Sequence, residues 1–144
     1  MAGNIYQDAG TLATLLSTEL NSLASGSFAT ASSAYDNTPG TLGAFTGDFE
    51  LVAATGSNMT AGNTFDLYLL ESVDGANYAG TSGPPPGCFA GSFVCQAETS
   101  GRYVLRGVPL PPAKFKAYLK NGSGVALSAS GSTLKMLPVM EKYT

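Results

Sequence analysis

The chain has 144 residues and a mass of 14.6 kDa, which is enough for one domain and too little for two. Only 12% of the residues are charged, roughly half of the ~25% typical of soluble proteins, so 29 Ser and Thr residues must supply much of the polar surface. The sequence contains no His, which excludes the usual catalytic triads and the ordinary zinc ligand sets. Few Lys and Glu together with 18 Gly disfavour exposed helices, so we expect an all-β fold.

No segment is long and apolar enough to be expected to cross a bilayer. The longest apolar runs fall well short of the ~18 residues that a spanning helix needs. The first ten residues, MAGNIYQDAG, have neither a basic start nor an apolar signal core. We therefore expect synthesis in a cytoplasm and no contact with a membrane.

The charges are distributed very unevenly along the chain. Residues 1–100 carry nine acids and no Lys or Arg, whereas residues 101–144 carry all seven basic residues and one acid, a balance of −9 and then 7 − 1 = +6. The basic strands either pair with acidic strands inside one sheet, at ~0.2–1 kcal/mol per pair, or present a basic face to an acidic protein. Nucleic acid is not an expected partner, because the lysines are scattered and the whole chain is acidic.

The first third of the chain is ambiguous in secondary structure. The leucines of residues 11–23 fit a helical stripe, but they also fit the two-residue period of a strand. The segment that follows is rich in small residues and ends in Asp36, Asn37, Pro39 and Gly40, which favour a turn. We expect one or two strands here, with a turn at 37–40.

The middle of the chain predicts two strands followed by a long loop. GDFELVAAT and TFDLYLLES alternate apolar and polar residues and are separated by the loop GSNMTAGN. Asp74 and Gly75 mark a tight turn; the ligands of an EF-hand calcium loop are missing around them. Residues 79–92 are expected to form a surface loop, since the consecutive prolines in TSGPPPG cannot donate ladder hydrogen bonds.

The last third predicts strands bounded by proline and glycine. GRYVLRGV is a strand, PLPP at residues 109–112 is a corner, and AKFKAYLK is a further strand. The residues Asn121 to Gly124 predict a hairpin turn into GVALSAS, before a last strand in STLKMLPVM. Seven or eight short strands in one domain of residues 1–144, with residues 1–10 as an extended arm, indicate an antiparallel sandwich or barrel.

The sequence contains no recognisable catalytic, metal or cofactor site. No spacing marks two acids as a glycosidase pair, and no glycine-rich stretch ends in the Lys-Ser/Thr of a phosphate loop. Cys88 and Cys95 enclose the loop CFAGSFVC, and the sequence leaves open whether they form a disulfide or remain two free thiols. We expect a protein that is not an enzyme and needs no cofactor or metal.

Several segments, in order, resemble a known family: SLASGSFATASSAYDN, DFELV, DLYLLESVDGANY and LPPAKFKAYLKNGSGVALSASGSTLK. They are similar to virion structural proteins of tailed bacteriophages, in particular capsid cement or decoration proteins, over residues 22–136. The resemblance implies a jelly-roll-like β-sandwich that binds the outside of an icosahedral shell. It also implies the major capsid protein and further copies of the chain, as a dimer or trimer, as partners. The protein would be made in the bacterial host cytoplasm and end on the virion surface.

If that resemblance holds, the basic strands and the proline loop are the expected contacts with an acidic capsid surface. The candidate contact residues are Arg102, Arg106, Lys114, Lys116, Lys120, Pro84, Pro85, Pro86 and Phe89. An alternative function is that of a carbohydrate-binding or host-attachment module of a phage tail or fibre. In that case exposed aromatic side chains would form the binding face, although the chain has seven Tyr and no Trp.

Overall fold

The structure of the chain, a computed structural model, describes residues 3–39, 43–78, 80 and 83–143. Within these ranges the chain forms ten strands and two short 3-10 turns, Thr18–Leu20 and Pro86–Cys88. The strands are β1 (Ile5–Ala9), β2 (Ala13–Leu16), β3 (Phe28–Thr30), β4 (Tyr35–Asp36), β5 (Thr46–Ala54), β6 (Thr64–Ser72), β7 (Phe89–Val94), β8 (Ser100–Pro109), β9 (Lys114–Asn121) and β10 (Thr133–Tyr143). No helix in the described ranges is long and apolar enough to span a membrane.

The strands form two antiparallel sheets that pack face to face. The first sheet has the order β1-β10-β5-β8, with β2 also pairing with β10. The second sheet has the order β3-β9-β6-β7, with β4 also pairing with β9. The chain changes sheet between β5 and β6, and again between each of β7, β8, β9 and β10. The predicted all-β, jelly-roll-like antiparallel sandwich is confirmed.

Alternation along the central strands builds the core. Phe49 and Leu51 of β5 point inward from the first sheet, and Phe65 of β6 and Phe115 of β9 point inward from the second. These side chains belong to one apolar cluster between the sheets, and complete burial of each one stabilises the fold by about 1.5–3 kcal/mol. The same alternation points every second residue outward and so determines which side chains can meet a partner.

Residues 11–23 form a strand and then one helical turn. β2 covers Ala13–Leu16, and the 3-10 turn covers Thr18–Leu20. Leu16 and Leu20 are both buried in the core, although they lie in different elements. The two-residue period of a strand therefore holds over Ala13–Leu16, and a helical spacing holds over the short turn that follows. The expected turn at 37–40 is described only as far as Pro39, and Gly40 lies outside the described residues.

The hairpin predicted at Asn121 does not form, because the chain leaves the second sheet there. The buried Asn121 amide donates hydrogen bonds to the carbonyl oxygens of Leu23 and Val125, at 2.9 Å each. Its side-chain oxygen accepts hydrogen bonds from the backbone N–H and the hydroxyl of Ser123. These bonds hold a loop that carries the chain across to β10 in the first sheet.

Two segments expected to be irregular are strands. Residues 89–92, predicted as the end of a loop, belong to β7 and pair with β6. Residues 5–9, predicted as part of an extended arm, form β1 and pair with the end of β10. In both cases the partner strand supplies the ordering, and neither partner could be inferred from local sequence pattern.

Glu19 fastens the 3-10 turn after β2 to the segment that leads into β4. Its carboxylate accepts hydrogen bonds from the Ser17 N–H at 3.0 Å and from the N–H and hydroxyl of Ser32 at 3.1 and 2.6 Å. Burial alone would raise the pKa of Glu19, but these hydrogen bonds outweigh it and lower the pKa from 4.5 to about 2. The ionised form is therefore the one that stabilises the fold.

We expect Glu19→Gln to destabilise the protein at neutral pH by about 0.5–1 kcal/mol, a value reduced for the solvent around this carboxylate. The depressed pKa means that the wild-type advantage is complete above about pH 4.5 and is lost as the pH falls toward 2. Thermal unfolding of both proteins at several pH values measures this. A difference in stability that stays constant down to pH 2 would contradict the assignment.

Candidate functional site

An aromatic row crosses the outer surface of the second sheet. The rings of Phe28 on β3 and Phe89 on β7 lie on either side of Tyr68 on β6, with ring centroids 6.2 and 5.6 Å from it. Tyr118 on β9 is the cross-strand partner of Tyr68. Phe28 is 40% exposed and Phe89 is 53% exposed, although both are large apolar side chains. We call Phe28, Tyr68, Phe89 and Tyr118 the aromatic face.

A polar row runs beside the aromatic face, one pleat further along the same strands. Asp66 of β6 is paired in register with Lys120 of β9 on one side and with Ser92 of β7 on the other. The Ser92 hydroxyl donates a hydrogen bond of 2.7 Å to Asp66. The Lys120 ammonium lies 5.7 Å from the centre of the Phe28 ring, a cation–π contact that joins the two rows. Apolar ring surface and hydrogen-bonding groups therefore lie side by side.

The loop after β6 covers the other half of this surface. Leu70 lies at an outward position of β6 but is only 1% exposed. The Tyr118 hydroxyl donates a hydrogen bond of 3.4 Å to the carbonyl of Gly80, and the Lys116 ammonium lies 5.0 Å from the centre of the Tyr78 ring. The accessible part of the sheet is thus the part that carries Phe28, Tyr68 and Phe89.

The turn at Asp74 is a structural turn, as the sequence predicted. The Asp74 carboxylate accepts hydrogen bonds from Asn77, through its backbone N–H and side-chain amide, from the Ala76 N–H and from the Ser72 hydroxyl. These bonds, those from Asn77 foremost, hold the pKa of Asp74 well below its usual value. In the described part of the chain, no three His, Cys, Asp or Glu residues come together as metal ligands.

Arg102 and Arg106 lie on β8 in the first sheet, where acidic neighbours pair with them. Arg102 Nη1 is 2.9 Å from Glu50, and Arg106 Nη1 is 3.7 Å from Asp48, both acids being on the adjacent β5. For these two residues, basic strands pair with acidic strands inside one sheet, which is the first of the two interpretations of the charge distribution. Both arginines are largely exposed, so each ion pair adds little stability.

Lys114, Lys116 and Lys120 lie at outward positions of β9 in the second sheet. Lys116 and Lys120 flank Tyr118 of the aromatic face, whereas Lys114 is paired in register with Asp36 of β4. The structure therefore does not bring the five predicted basic contact residues onto one surface, because β8 and β9 belong to opposite sheets. Of the predicted proline-loop contacts, Phe89 joins the aromatic face, Pro84 and Pro85 precede the 3-10 turn before it, and Pro86 is the first residue of that turn.

A disulfide between Cys88 and Cys95 is incompatible with the fold. Both are free thiols, and they flank β7, which runs extended between them. The six residues of β7 alone span roughly 20 Å, whereas the Cα atoms of a disulfide lie about 4.4–6.8 Å apart. Burial raises the pKa of both thiols, so neither is activated as a nucleophile.

We expect mass spectrometry of never-reduced protein to find two thiols. Alkylation of the native protein should modify the partly exposed Cys88 before the buried Cys95, and denaturation should make both react. Protein that resists alkylation after denaturation and becomes reactive only with a reductant would contain the bridge and would contradict the strand assignment of β7.

Comparisons with known proteins give a likeness of overall structure. No protein-family model matches the chain, and no curated protein matches it. The CBM36-1 domain of a multidomain xylanase from the hindgut metagenome of Trinervitermes trinervoides is similar, at 14% identity over 99% of this chain and 96% of that domain, with a TM-score of 0.40. A carbohydrate-binding module CBM36 in complex with calcium and xylotriose is similar at 13% identity over 98% of this chain and 99% of that module, also with a TM-score of 0.40. Similarity at this level transfers neither a ligand nor a calcium site to this chain.

Sequence reasoning did not single out Phe28, Asp66 or Ser92. Phe28 sits among Ser, Ala and Thr residues, and nothing in that segment indicates that it faces Tyr68. The alternation of apolar and polar residues in TFDLYLLES does indicate that Asp66 and Tyr68 lie on the outward side of one strand. The neighbouring strands that complete the face depend on long-range pairing.

Proposed function

We propose that the protein is a non-catalytic binding module that binds a carbohydrate chain at its aromatic face. The row formed by Phe28, Tyr68 and Phe89, flanked by Asp66 and Ser92, is the observation that carries the proposal. Sugar rings have apolar C–H faces and a rim of hydroxyls. A surface that binds them needs exposed rings for the C–H faces and hydrogen-bonding groups within reach of the hydroxyls.

The tilt of the rings favours a flexible or twisted glycan over a flat crystalline surface. The planes of Phe28 and Phe89 are inclined by 61° and 72° to that of Tyr68, so the three rings do not form one plane. A flat polysaccharide sheet therefore cannot stack on Tyr68 and on either phenylalanine at the same time. A single chain whose successive sugars turn relative to one another can contact each ring in sequence.

Replacement of an exposed ring should weaken glycan binding without unfolding the protein. We expect Phe28→Ala and Phe89→Ala each to lose about 0.5–1.5 kcal/mol of binding free energy, or roughly twofold to twelvefold in affinity. Affinity electrophoresis against a panel of soluble polysaccharides, with hits taken from a glycan array, measures the change. Val104→Ala, at an exposed position on the first sheet, is the matched control and should bind normally.

The proposal fails if the folded protein binds no glycan in the panel, or if the control variant weakens binding as much as the ring variants do. Circular dichroism and thermal melting of each variant separate loss of binding from loss of fold.

Capsid decoration is the second candidate function, and one observation of the structure favours it beside the sequence resemblance. The segments quoted above resemble phage cement proteins over residues 22–136. In addition, Val73, which directly follows β6 in the second sheet, is an aliphatic side chain that is 97% exposed outside the aromatic face. Aliphatic groups do not stack on sugars, but they are common in contacts between proteins. In this case the major capsid protein and further copies of the chain are the partners, on the virion surface.

Reversal of charge on β9 tests the capsid candidate. Lys114, Lys116 and Lys120 changed together to Glu should reduce the number of copies on phage heads that lack the native protein, because complementary charge steers docking. Lys135→Glu, on the first sheet, is the control and should bind at the wild-type level. Co-sedimentation with the heads measures occupancy, and equal occupancy for all three proteins would rule out the lysine contact.

A further inference from the structure

The two ends of the described chain form a ribbon that extends past the sandwich. β10 pairs with β5 only from Thr133 to Val139, whereas its pairing with β1 runs from Val139 to Tyr143. Beyond Val139, β10 and β1 are thus each other's only strand neighbours among the described residues. A ribbon of two strands is marginally stable in water, and pairing with a third strand stabilises it.

The ribbon also exposes apolar side chains. Ile5 is 61% exposed and Tyr6 is 46% exposed. The charge of Asp8, further along β1, is neutralised by the ion pair with Lys142 across the ribbon. Edge strands that must stay single are usually short, interrupted or guarded by unpaired charge. β1 has no unpaired charge, so charge does not prevent it from pairing with a strand of another chain.

The direction of the backbone groups along β1 follows from one hydrogen bond. The Gly10 N–H donates to the Pro138 carbonyl at 2.8 Å, so Gly10 faces β10. Because backbone groups alternate in direction along a strand, Asp8 and Tyr6 also face β10. The N–H and C=O groups of Ile5, Gln7 and Ala9 therefore point to the opposite side, where the described residues provide no strand.

We propose that β1 pairs with β1 of a second copy of this chain, antiparallel about a two-fold axis at Gln7. In this register Gln7 faces Gln7 of the second copy, and Ile5 faces Ala9, so every outward N–H and C=O on one strand meets its complement on the other. The arrangement places Asp8 opposite Tyr6 and puts no two like charges directly across from each other. The outer edge of the β10 segment is less suitable because it carries Glu141.

The proposal predicts a dimer of the full chain that a single proline separates. Light scattering after gel filtration should give twice the 14.6 kDa chain mass, falling toward one chain on dilution. Gln7→Pro removes an N–H that points away from β10, so it should leave the β1–β10 ladder intact and yield a monomer. Gln7→Ala keeps the backbone donor and should remain a dimer.

Cysteine cross-linking tests the register independently of the equilibrium. In a Cys88→Ser background, Gln7→Cys places two thiols directly opposite each other, with Cα atoms about 5.5 Å apart, so mild oxidation should produce a covalent dimer. Ile5→Cys separates the two thiols along the strands and should not cross-link. The melting temperature of each variant confirms that it is folded.

A wild-type protein that stays monomeric at all concentrations would overturn the proposal. So would a folded Gln7→Pro protein that remains dimeric, or equal cross-linking by the two cysteine variants. Because the ribbon lies in the first sheet and the aromatic face in the second, loss of dimers and loss of glycan binding are separate outcomes.

Discussion

Alternate side chains of β5, β6, β9 and β10 are buried between the two sheets, and this burial determines both the registers of the strands and the residues left on the outer surfaces. Phe49, Phe65 and Phe115 fill the space between the sheets and are completely buried. A slip of one residue in any of these strands would turn its core residues to solvent and bring its polar residues inside. The registers of the central strands are therefore strongly determined, and so is the set of side chains left on each outer surface.

The two outer surfaces differ in character as a result. On the first sheet, β5 and β8 place Glu50 beside Arg102 and Asp48 beside Arg106, so the charges are paired within the protein. On the second sheet, Tyr68 meets Phe28 and Phe89, while Lys116 and Lys120 of β9 lie over the rings of Tyr78 and Phe28. A surface whose charges are paired within the protein has little need of a partner, whereas exposed rings next to hydrogen-bonding side chains suit a ligand. The basic residues that cluster in the last third of the chain are thus divided between the two sheets.

Strands with one buried face could be predicted closely from the sequence. GDFELVAAT corresponds to β5, TFDLYLLES to β6 and AKFKAYLK to β9, each within about one residue at either end. β7 was not predicted, because FAGSFV is short and interrupted by glycine, and its order comes from pairing with β6. The crossing after Asn121 was also missed, since an Asn-Gly pair suits a hairpin and only the burial of the Asn side chain directs the chain elsewhere. Of the aromatic face, the sequence could place Tyr68 and Tyr118 on outward positions, but bringing Phe28 and Phe89 to them required the order of the strands.

We propose that the aromatic face of the second sheet is the surface through which this protein binds. Nuclear magnetic resonance of isotopically labelled protein, titrated with soluble glycans, tests it most directly because each residue reports separately. We expect the chemical shifts of Phe28, Asp66, Tyr68 and Phe89 to change together and saturate, while those of β8 stay constant. Saturable changes centred on Arg102 and Arg106, with the aromatic face unaffected, would contradict it.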